Sequence, residues 1–186
     1  MKNNLLPSLK LTALFILLFM GIYTALILGI AQFAPNHGKG FVVLADGKKH
    51  YENIAQNFSD DKYFSSRPSA VNYNAAGSGG SNKGPSNPDY LATVQARIDT
   101  FMMHNPEVRK SDIPSDLVTA SGSGEDPNIS IQGAFVQIPR IAKIRNIPVG
   151  QLEALVQQNT EEPLLGLFGT NKVNVLQLNL ALNTLK

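Results

Sequence analysis

The architecture of this chain is decided by residues 11–30, which read LTALFILLFMGIYTALILGI. No charged residue occurs between Leu11 and Asn36. A helix of about 20 apolar residues crosses the hydrocarbon core of a bilayer and satisfies its own backbone there. The run exceeds the apolar region of about 7–15 residues in a cleaved signal peptide, and Gln32 is a poor match to a cleavage site ending at Ala34. We therefore predict a retained transmembrane helix over residues 11–34.

The charges on either side of this run predict its orientation. Lys2 and Lys10 precede the run, and all 14 acidic residues of the chain follow it. Basic residues favour the cytoplasmic side of a membrane. The bias is modest, because lysines also follow the run. We predict a cytoplasmic tip over residues 1–10 and an extracytoplasmic, periplasmic-side domain over residues 35–186.

The composition of this domain excludes several functions. Beyond the apolar run 14 basic residues face 14 acidic ones, so the pI of about 8.8 arises from the N-terminal tip. A neutral domain lacks the basic footprint of a nucleic-acid-binding protein. The chain has no cysteine, which rules out disulfides, thiolate catalysis and cysteine-based zinc sites.

The predicted fold class is one N-terminal transmembrane helix plus a single α+β extracytoplasmic domain, mainly helical with a small β-hairpin. The hairpin is predicted over residues 40–52, where a β-rich run meets the turn signal Asp46-Gly47. A helical turn is predicted over residues 54–58. The next helix is predicted to begin at Pro88 with Asn87 as its cap, and to stop before Asn105-Pro106.

Three further segments have helical patterns. Residues 130–145 are predicted as one helix with a kink at Pro139. Another helix is predicted to begin at Pro148 and to end near Thr160. Residues 173–185 alternate like a strand, but their leucine and alanine content favours a helix capped by Asn174.

Two loops of small residues interrupt these elements, over residues 65–88 and 119–128. In the first loop, 17 of 24 residues are Ser, Asn, Gly or Pro. This composition is typical of a flexible linker, whereas its aromatic residues and Arg67 favour an ordered binding loop. The second loop leads into a helix N-terminus, where backbone amides can hold an anion or a partner's carbonyl group.

The sequence offers little catalytic chemistry. The histidines His37, His50 and His104 lack metal-ligand spacing and are predicted on the surface. The adjacent acids Asp60-Asp61, Glu125-Asp126 and Glu161-Glu162 are predicted as solvated loop charges. Residues 77–84, GSGGSNKG, fail the phosphate-loop pattern, and no G-x-S-x-G elbow occurs. We predict no catalytic residue and no metal site, and an exported, membrane-anchored hydrolase is a distant alternative.

Several strings resemble, in order, the C subunit of the Kdp-type potassium-transporting ATPase. They are YFSSRPSA at 63–70, YNAAGSGGSN at 73–82, DLVTASGSG at 116–124, QIPRIA at 137–142 and VNVLQLNLAL at 173–182. The resemblance covers nearly the whole chain, including the single N-terminal span.

This resemblance implies a non-catalytic accessory subunit of a high-affinity, ATP-driven potassium uptake pump in the bacterial inner membrane. The implied partners are a channel-like potassium-binding subunit, a P-type ATP-hydrolysing subunit and a small single-span subunit. The family's C subunit assembles and stabilises that complex. It is also assigned a catalytic-chaperone role that raises the affinity for ATP. ATP and potassium belong to the complex, and no cofactor is assigned to this chain directly.

The resemblance also directs attention to the two loops. Candidate partner-contact or fold-defining residues are Arg67, Tyr73, Asn74, Gly77, Ser78, Gly79, Gly80, Ser81 and Asn82. A nucleotide-linked loop is implied by likeness to the signature loop of ATP-binding-cassette proteins, over Ser121, Gly122, Ser123, Gly124 and Asp126.

The charge bias argues against direct nucleotide binding by these loops. It places both of them outside the membrane, whereas ATP is inside, and no basic cradle accompanies either loop in the sequence. We therefore predict an indirect effect, in which the external domain biases the conformational equilibrium of the pump. A nucleotide-binding regulator of the pump is the alternative.

Overall fold

The apolar run forms one long N-terminal helix. It comprises α1 (Lys2–Ile16), a π-helical segment (Leu17–Tyr23) and α2 (Thr24–Ala31). The segment Asn4–Ala31 is long and apolar enough to cross a membrane. The helix begins earlier than residue 11 and ends at Ala31, where turns follow. Residues 11–34 stay a prediction for the part inside the bilayer.

The computed structural model describes residues 2–45 and 47–185. It divides into two compact units, Met1–Leu44 and Ala45–Lys186. The second unit contains most of the secondary structure described below and both of the small-residue loops.

A hairpin forms where the sequence predicted one. Strands β1 (Val42–Ala45) and β2 (Lys48–Tyr51) pair in a two-stranded sheet. Gly47 has a φ of +73°, which suits glycine in a tight turn, while Asp46 lies outside the described residues. The predicted helical turn over residues 54–58 is wrong, because Ala55 N donates to the distant Glu125 carbonyl at 3.0 Å and not to a local acceptor.

Two helices in the domain begin at the predicted caps. Helix α3 (Pro88–His104) starts after Asn87, whose Oδ1 accepts from Tyr90 N at 3.0 Å. Helix α7 (Val175–Thr184) starts after Asn174, whose Oδ1 accepts from Gln177 N at 3.1 Å. These polar side chains satisfy amides that have no partner within the helix.

The predicted kinked helix over residues 130–145 is two helices. Helix α4 (Ile131–Phe135) ends before α5 (Ile138–Arg145) begins. A proline ring clashes with the carbonyl four residues before it, and for Pro139 that residue is Phe135. The proline therefore ends α4 and occupies the first turn of α5, where a missing amide hydrogen costs nothing. Helix α6 (Val149–Gln158) follows Pro148, close to its predicted range.

A second sheet was not predicted. Strands β3 (Asn128–Ile129), β4 (Thr160–Glu161) and β5 (Lys172–Asn174) form an antiparallel sheet in the order β3-β5-β4. Strands of two or three residues are too short to show an alternating pattern. Strand β5 runs directly into α7, so the preferred helix is confirmed for residues 175–184 and the alternative strand is wrong beyond Asn174.

The core lies among helices α4 to α7 and the three-stranded sheet. Its fully buried side chains include Phe64, Ile141, Leu152, Val156, Val173, Leu178 and Leu182. Phe64 comes from the irregular segment that begins the first loop. Helix α3 has no buried residue. Its Phe101 packs against the core, whereas its Leu91 is exposed.

Candidate functional site

The two small-residue loops contact each other and form one unit, which we call the loop pair (residues 65–88 and 119–128). Gly79 N donates to the Ser123 carbonyl at 2.8 Å. The Ser78 hydroxyl donates to the same carbonyl at 3.0 Å. The first loop is therefore ordered against the second, and the flexible-linker interpretation is wrong.

An ion pair joins the roots of the two loops. Arg67 Nη1 lies 2.9 Å from Asp126 Oδ2, and the two side chains are 23% and 32% exposed. The Arg67 carbonyl in turn accepts from the Tyr73 hydroxyl at 2.7 Å. Partial burial reduces the solvent screening that makes exposed pairs weak. The Arg67 guanidinium is thus engaged within the chain.

Two glycines allow the loops to approach. A Cβ on Gly80 would lie 2.9 Å from the Gly122 carbonyl oxygen. Gly124 is tighter, because its φ is +71° and a Cβ there would lie 2.7 Å from Val71 Cγ2 and 2.9 Å from the Gly79 oxygen. Space excludes a side chain at Gly80, and both space and backbone conformation exclude one at Gly124.

Tyr73 occupies a strained position inside the first loop. Its φ is +56°, which is unusual for an aromatic residue. Its amide donates to Ser69 Oγ at 2.9 Å, which holds the backbone in place. Burial raises the pKa of the Tyr73 phenol, and the charge of Glu125 adds to this while Arg97 opposes it. The tyrosine is therefore a neutral hydrogen-bond donor over the physiological range.

The remaining candidates divide into exposed and enclosed residues. Asn74 Oδ1 accepts from Ala76 N at 3.2 Å and caps a short 3₁₀ turn over Ala75–Gly77. The exposed candidates are Asn74, Gly77, Ser78, Ser81, Asn82, Gly122 and Ser123. The buried ones are Ser121 and Gly124, and Arg67, Tyr73, Gly79, Gly80 and Asp126 are intermediate. The exposed set is the part of the loop pair that a partner could contact.

The prediction that Glu125-Asp126 is solvated loop charge is wrong. Asp126 pairs with Arg67, and Glu125 is only 8% exposed. Among the described residues neither carboxylate oxygen of Glu125 has a hydrogen-bond partner, and the same holds for the buried Arg67 Nε. The loop packing buries Glu125, and its polar neighbours in the sequence gave no sign of this.

Side chains distant in sequence hold the root of the first loop. Asn179 accepts from Phe64 N and donates to the Phe64 carbonyl, both at 2.9 Å. Ser65 N donates to Gln137 Oε1 at 2.8 Å. These buried side chains satisfy backbone groups that have no partner in a helix or a sheet. The resemblance covered Gln137 and Asn179 within its strings, but sequence reasoning assigned them no role.

Arg140 anchors the same root from α5. Its Nε donates to Asn105 Oδ1 at 2.9 Å, and its Nη2 donates to the Tyr63 carbonyl at 3.1 Å. Its Nη1 donates to the Asp61 carbonyl. Burial lowers the pKa of Arg140, and the acidic side chain of Asp61 opposes the shift. An arginine stays charged at such a site because its ordinary pKa is so high.

The structure also brings basic residues to the first loop. A pocket of about 190 Å³ is lined by Lys83 and Arg97, with Ser69 and Ser81 beside them. Both basic groups also have partners within the chain, because Lys83 Nζ lies 3.8 Å from Asp89 Oδ2 and Arg97 Nη1 donates to the Val118 carbonyl at 3.2 Å. Ligand pockets have volumes of about 300–1,000 Å³, so this pocket suits a small anion better than a whole nucleotide.

Metal and acid–base groups are sparse in the part of the chain that the structure describes. No group of three or more His, Asp or Glu side chains there could hold a metal ion. His104 Nδ1 lies 3.0 Å from Asp61 Oδ2, with both side chains nearly half exposed. Among the described residues no serine or threonine hydroxyl hydrogen-bonds to His104, as a hydrolytic site would require.

Fold and site together define a class of protein: a small α+β domain that is joined to one apolar helix and whose ordered loops expose residues that a partner protein could contact. A family model described as "K+-transporting ATPase, c chain" matches residues 5–184. The chain belongs to this family, the KdpC family.

Curated relatives agree with this assignment. A potassium-transporting ATPase KdpC subunit of Flavobacterium psychrophilum is 54% identical, covering 99% of this chain and 100% of its own length. Counterparts from Bacteroides fragilis and Bacillus cereus are 48% and 42% identical, each covering 99% of this chain, with 98% and 97% of their own lengths. The chain is therefore an accessory subunit of a K+-transporting ATPase and not an enzyme by itself.

Proposed function

We propose that the chain assembles and stabilises the other subunits of the K+-transporting ATPase. The observation that carries this proposal is the apolar helix, of which no part of the span Asn4–Ala31 is buried within the chain. Small glycine-containing faces on such helices favour close packing in membranes. The implied partners are the channel-like potassium-binding subunit, the P-type ATP-hydrolysing subunit and the small single-span subunit.

Co-purification tests this proposal. A tag on the chain should recover two large membrane proteins and one very small protein from mild detergent. Recovery of the chain alone, as a monomer, would contradict an assembly role.

We further propose that the N-terminus is cytoplasmic and the domain extracytoplasmic in the bacterial inner membrane. The charge bias of Lys2 and Lys10 supports this orientation. The chain has no cysteine, so single cysteines at Asn36 and Lys186 can be labelled without background. A membrane-impermeant thiol reagent should label both in intact cells, whereas a cysteine at Asn3 should react only after permeabilisation. The reverse pattern would place the domain in the cytoplasm.

For the catalytic-chaperone role, we propose an indirect effect on ATP affinity. A domain that contacts two pump conformations unequally shifts their equilibrium. Partner-contact residues would come from the exposed candidates on the loop pair. In the assembled pump, Ser123→Asp should raise the KM for ATP while the isolated chain shows no change in melting temperature with ATP. An unchanged KM would contradict this role for the loop pair.

Direct nucleotide binding is the second candidate function. The observation that favours it is the small pocket lined by Lys83 and Arg97. An ATP-induced rise in the melting temperature of the isolated full chain, lost in Arg97→Gln, would support it. A rise that persists in this variant would point to another site.

A further inference from the structure

The connection between β4 and β5 exposes four large apolar side chains. Residues 163–169, PLLGLFG, form what we call the apolar loop. Leu164, Leu165, Leu167 and Phe168 are 70%, 81%, 80% and 65% exposed. Single exposed leucines are ordinary, but a cluster of this size on one loop marks an interaction site.

The apolar loop has a defined shape. Leu164 N donates to the Phe168 carbonyl and Phe168 N donates to the Leu164 carbonyl, each at 3.0 Å. Gly166 N donates to the Pro163 carbonyl at 2.8 Å. Leu165 adopts a φ of +56°, which is rare for an apolar side chain. The loop therefore presents its side chains in one arrangement, which reduces the ordering cost of binding.

The base of the loop is attached to the core. Strand β5 carries Val173, which is fully buried and pairs with Thr160 of β4. Glu161 pairs with Lys172 in the same ladder, and their charged groups lie 3.2 Å apart. A protruding apolar tip on a rigid base is suited to enter a concave surface.

The charges around the apolar loop indicate which kind of surface it binds: a lipid surface, a second copy of this chain or a different protein. The basic residue nearest to the loop in sequence is Lys172, whose charge is paired with Glu161, while the exposed Glu162 directly precedes the loop. Membrane-surface segments use clusters of lysine and arginine to reach anionic lipids, so a lipid surface fits poorly. A symmetric contact with a second copy would bring the two Glu162 carboxylates onto one patch, where like charges repel. A different protein surface, apolar with a donor-rich rim, fits best.

We propose that the apolar loop docks into an apolar socket on another subunit of the K+-transporting ATPase. This inference rests on the proposed function, because it requires the assembled complex. The socket would receive the three leucines and Phe168, and its rim would present hydrogen-bond donors or a basic side chain to Glu162. Affinity would come chiefly from removing these side chains from water.

Site-specific photocrosslinking tests the occupant. A benzophenone amino acid replaces Leu165 in the full chain, expressed with all subunits of the pump and irradiated in native membranes. A crosslink to another pump subunit is the expected result. A crosslink only to lipid, only to a second copy of the chain, or to nothing would overturn the proposal. The same probe at Met103, which is 77% exposed on α3, should give no such product, and an identical product from both positions would also overturn it.

A pair of variants separates this inference from the proposed function. Leu165→Asn with Leu167→Ser removes the apolar side chains, and asparagine tolerates the left-handed backbone at position 165. Detergent purification should yield at least about 10-fold less of the other subunits per tagged chain, which corresponds to about 1.4 kcal/mol, with the melting temperature unchanged. Met103→Ser is the matched control and should recover the native amount.

The outcomes are distinguishable. If the native chain recovers no other subunit, the proposed function fails. If the native chain recovers them and the loop variant recovers as much, the docking proposal fails while the proposed function stands. If the loop variant melts at a lower temperature, the crosslinking result at position 165 in the otherwise native chain decides whether the apolar loop contacts another subunit.

Discussion

Gly124 shows how one residue controls the approach of two loops. Its positive φ and the 2.7 Å distance from a built Cβ to Val71 Cγ2 exclude any side chain. Gly122, two residues earlier, has open space around its Cβ position. The two glycines look equivalent in the sequence Ser-Gly-Ser-Gly but differ in what they permit.

We expect Gly124→Ala to destabilise the domain by about 2–4 kcal/mol, from the left-handed backbone and the steric clash together. Gly122→Ala is the matched control and should leave stability nearly unchanged. The measurement is chemical unfolding of the purified full chain in detergent. Equal effects at the two positions would show that the loop pair is not packed as described.

Two Arg–Asp ion pairs provide a second contrast. The first pair is Arg67 with Asp126. Their charged groups are 2.9 Å apart and mostly shielded from water. The charged groups of Arg109 and Asp112 lie at a similar distance, 2.8 Å, but the Arg109 side chain is 80% exposed. Burial, and not distance, separates the two pairs.

Arg67→Ala should therefore lower the free energy of unfolding by about 1–3 kcal/mol, because it leaves Asp126 partly buried without its partner. Arg109→Ala should produce no resolvable change, since water screens an exposed pair. Urea midpoints of the two variants, measured side by side, check this. A larger loss in the Arg109 variant would contradict the ranking.

At the scale of elements, side chains distant in sequence hold the irregular segment 61–67. Asn179 makes two 2.9 Å hydrogen bonds to the backbone of Phe64 from 115 residues away. Gln137 and Arg140 bind the neighbouring backbone groups. Helices α5 and α7 thus position the first loop through their polar residues.

Asn179→Ala should cost about 2–5 kcal/mol, because it leaves a buried amide and a buried carbonyl of Phe64 without partners. Asn183→Ala, on the same helix, removes an exposed contact with Arg145 and should cost much less. Hydrogen exchange at Phe64 should rise sharply only in the first variant. Unchanged protection at Phe64 would contradict the proposed anchoring.

For the whole molecule, the N-terminal helix governs where the chain resides. The span Asn4–Ala31 is longer than a bilayer requires, and it includes Lys10. The predicted membrane-embedded part, residues 11–34, excludes the first turns of the helix. Substitutions on either side of Lys10 can therefore locate the boundary.

The double variant Ile16→Asp with Leu18→Asp should release most of the chain from membranes, because each aspartate costs about 2.5–3.5 kcal/mol at a helix centre. The control, Leu5→Asp with Leu6→Asp, should remain membrane-bound. Carbonate extraction of the chain expressed alone measures both. Release of the control as well would show that the embedded segment begins closer to the N-terminus than residue 11.

Local signals in the sequence determined the apolar helix, the hairpin around Gly47 and the starts of α3 and α7. Each depends on interactions that span a few residues, such as the Asn87 and Asn174 caps. The break at Pro139 is also a local event, but a proline in a helical pattern does not by itself distinguish a kink from the end of a helix. The sequence also indicated the family, because the stretches that resemble it are spread along the chain, and the family model matches residues 5–184.

Only the tertiary structure decided how the loops meet. Arg67 and Asp126 are 59 residues apart in sequence, and neither composition nor periodicity specifies such a pairing. The same holds for the burial of Glu125 and for the three short strands, whose stability comes from packing and not from intrinsic propensity. Long-range contacts depend on the complete fold, because the entropy of closing long loops is repaid only when the core forms around them.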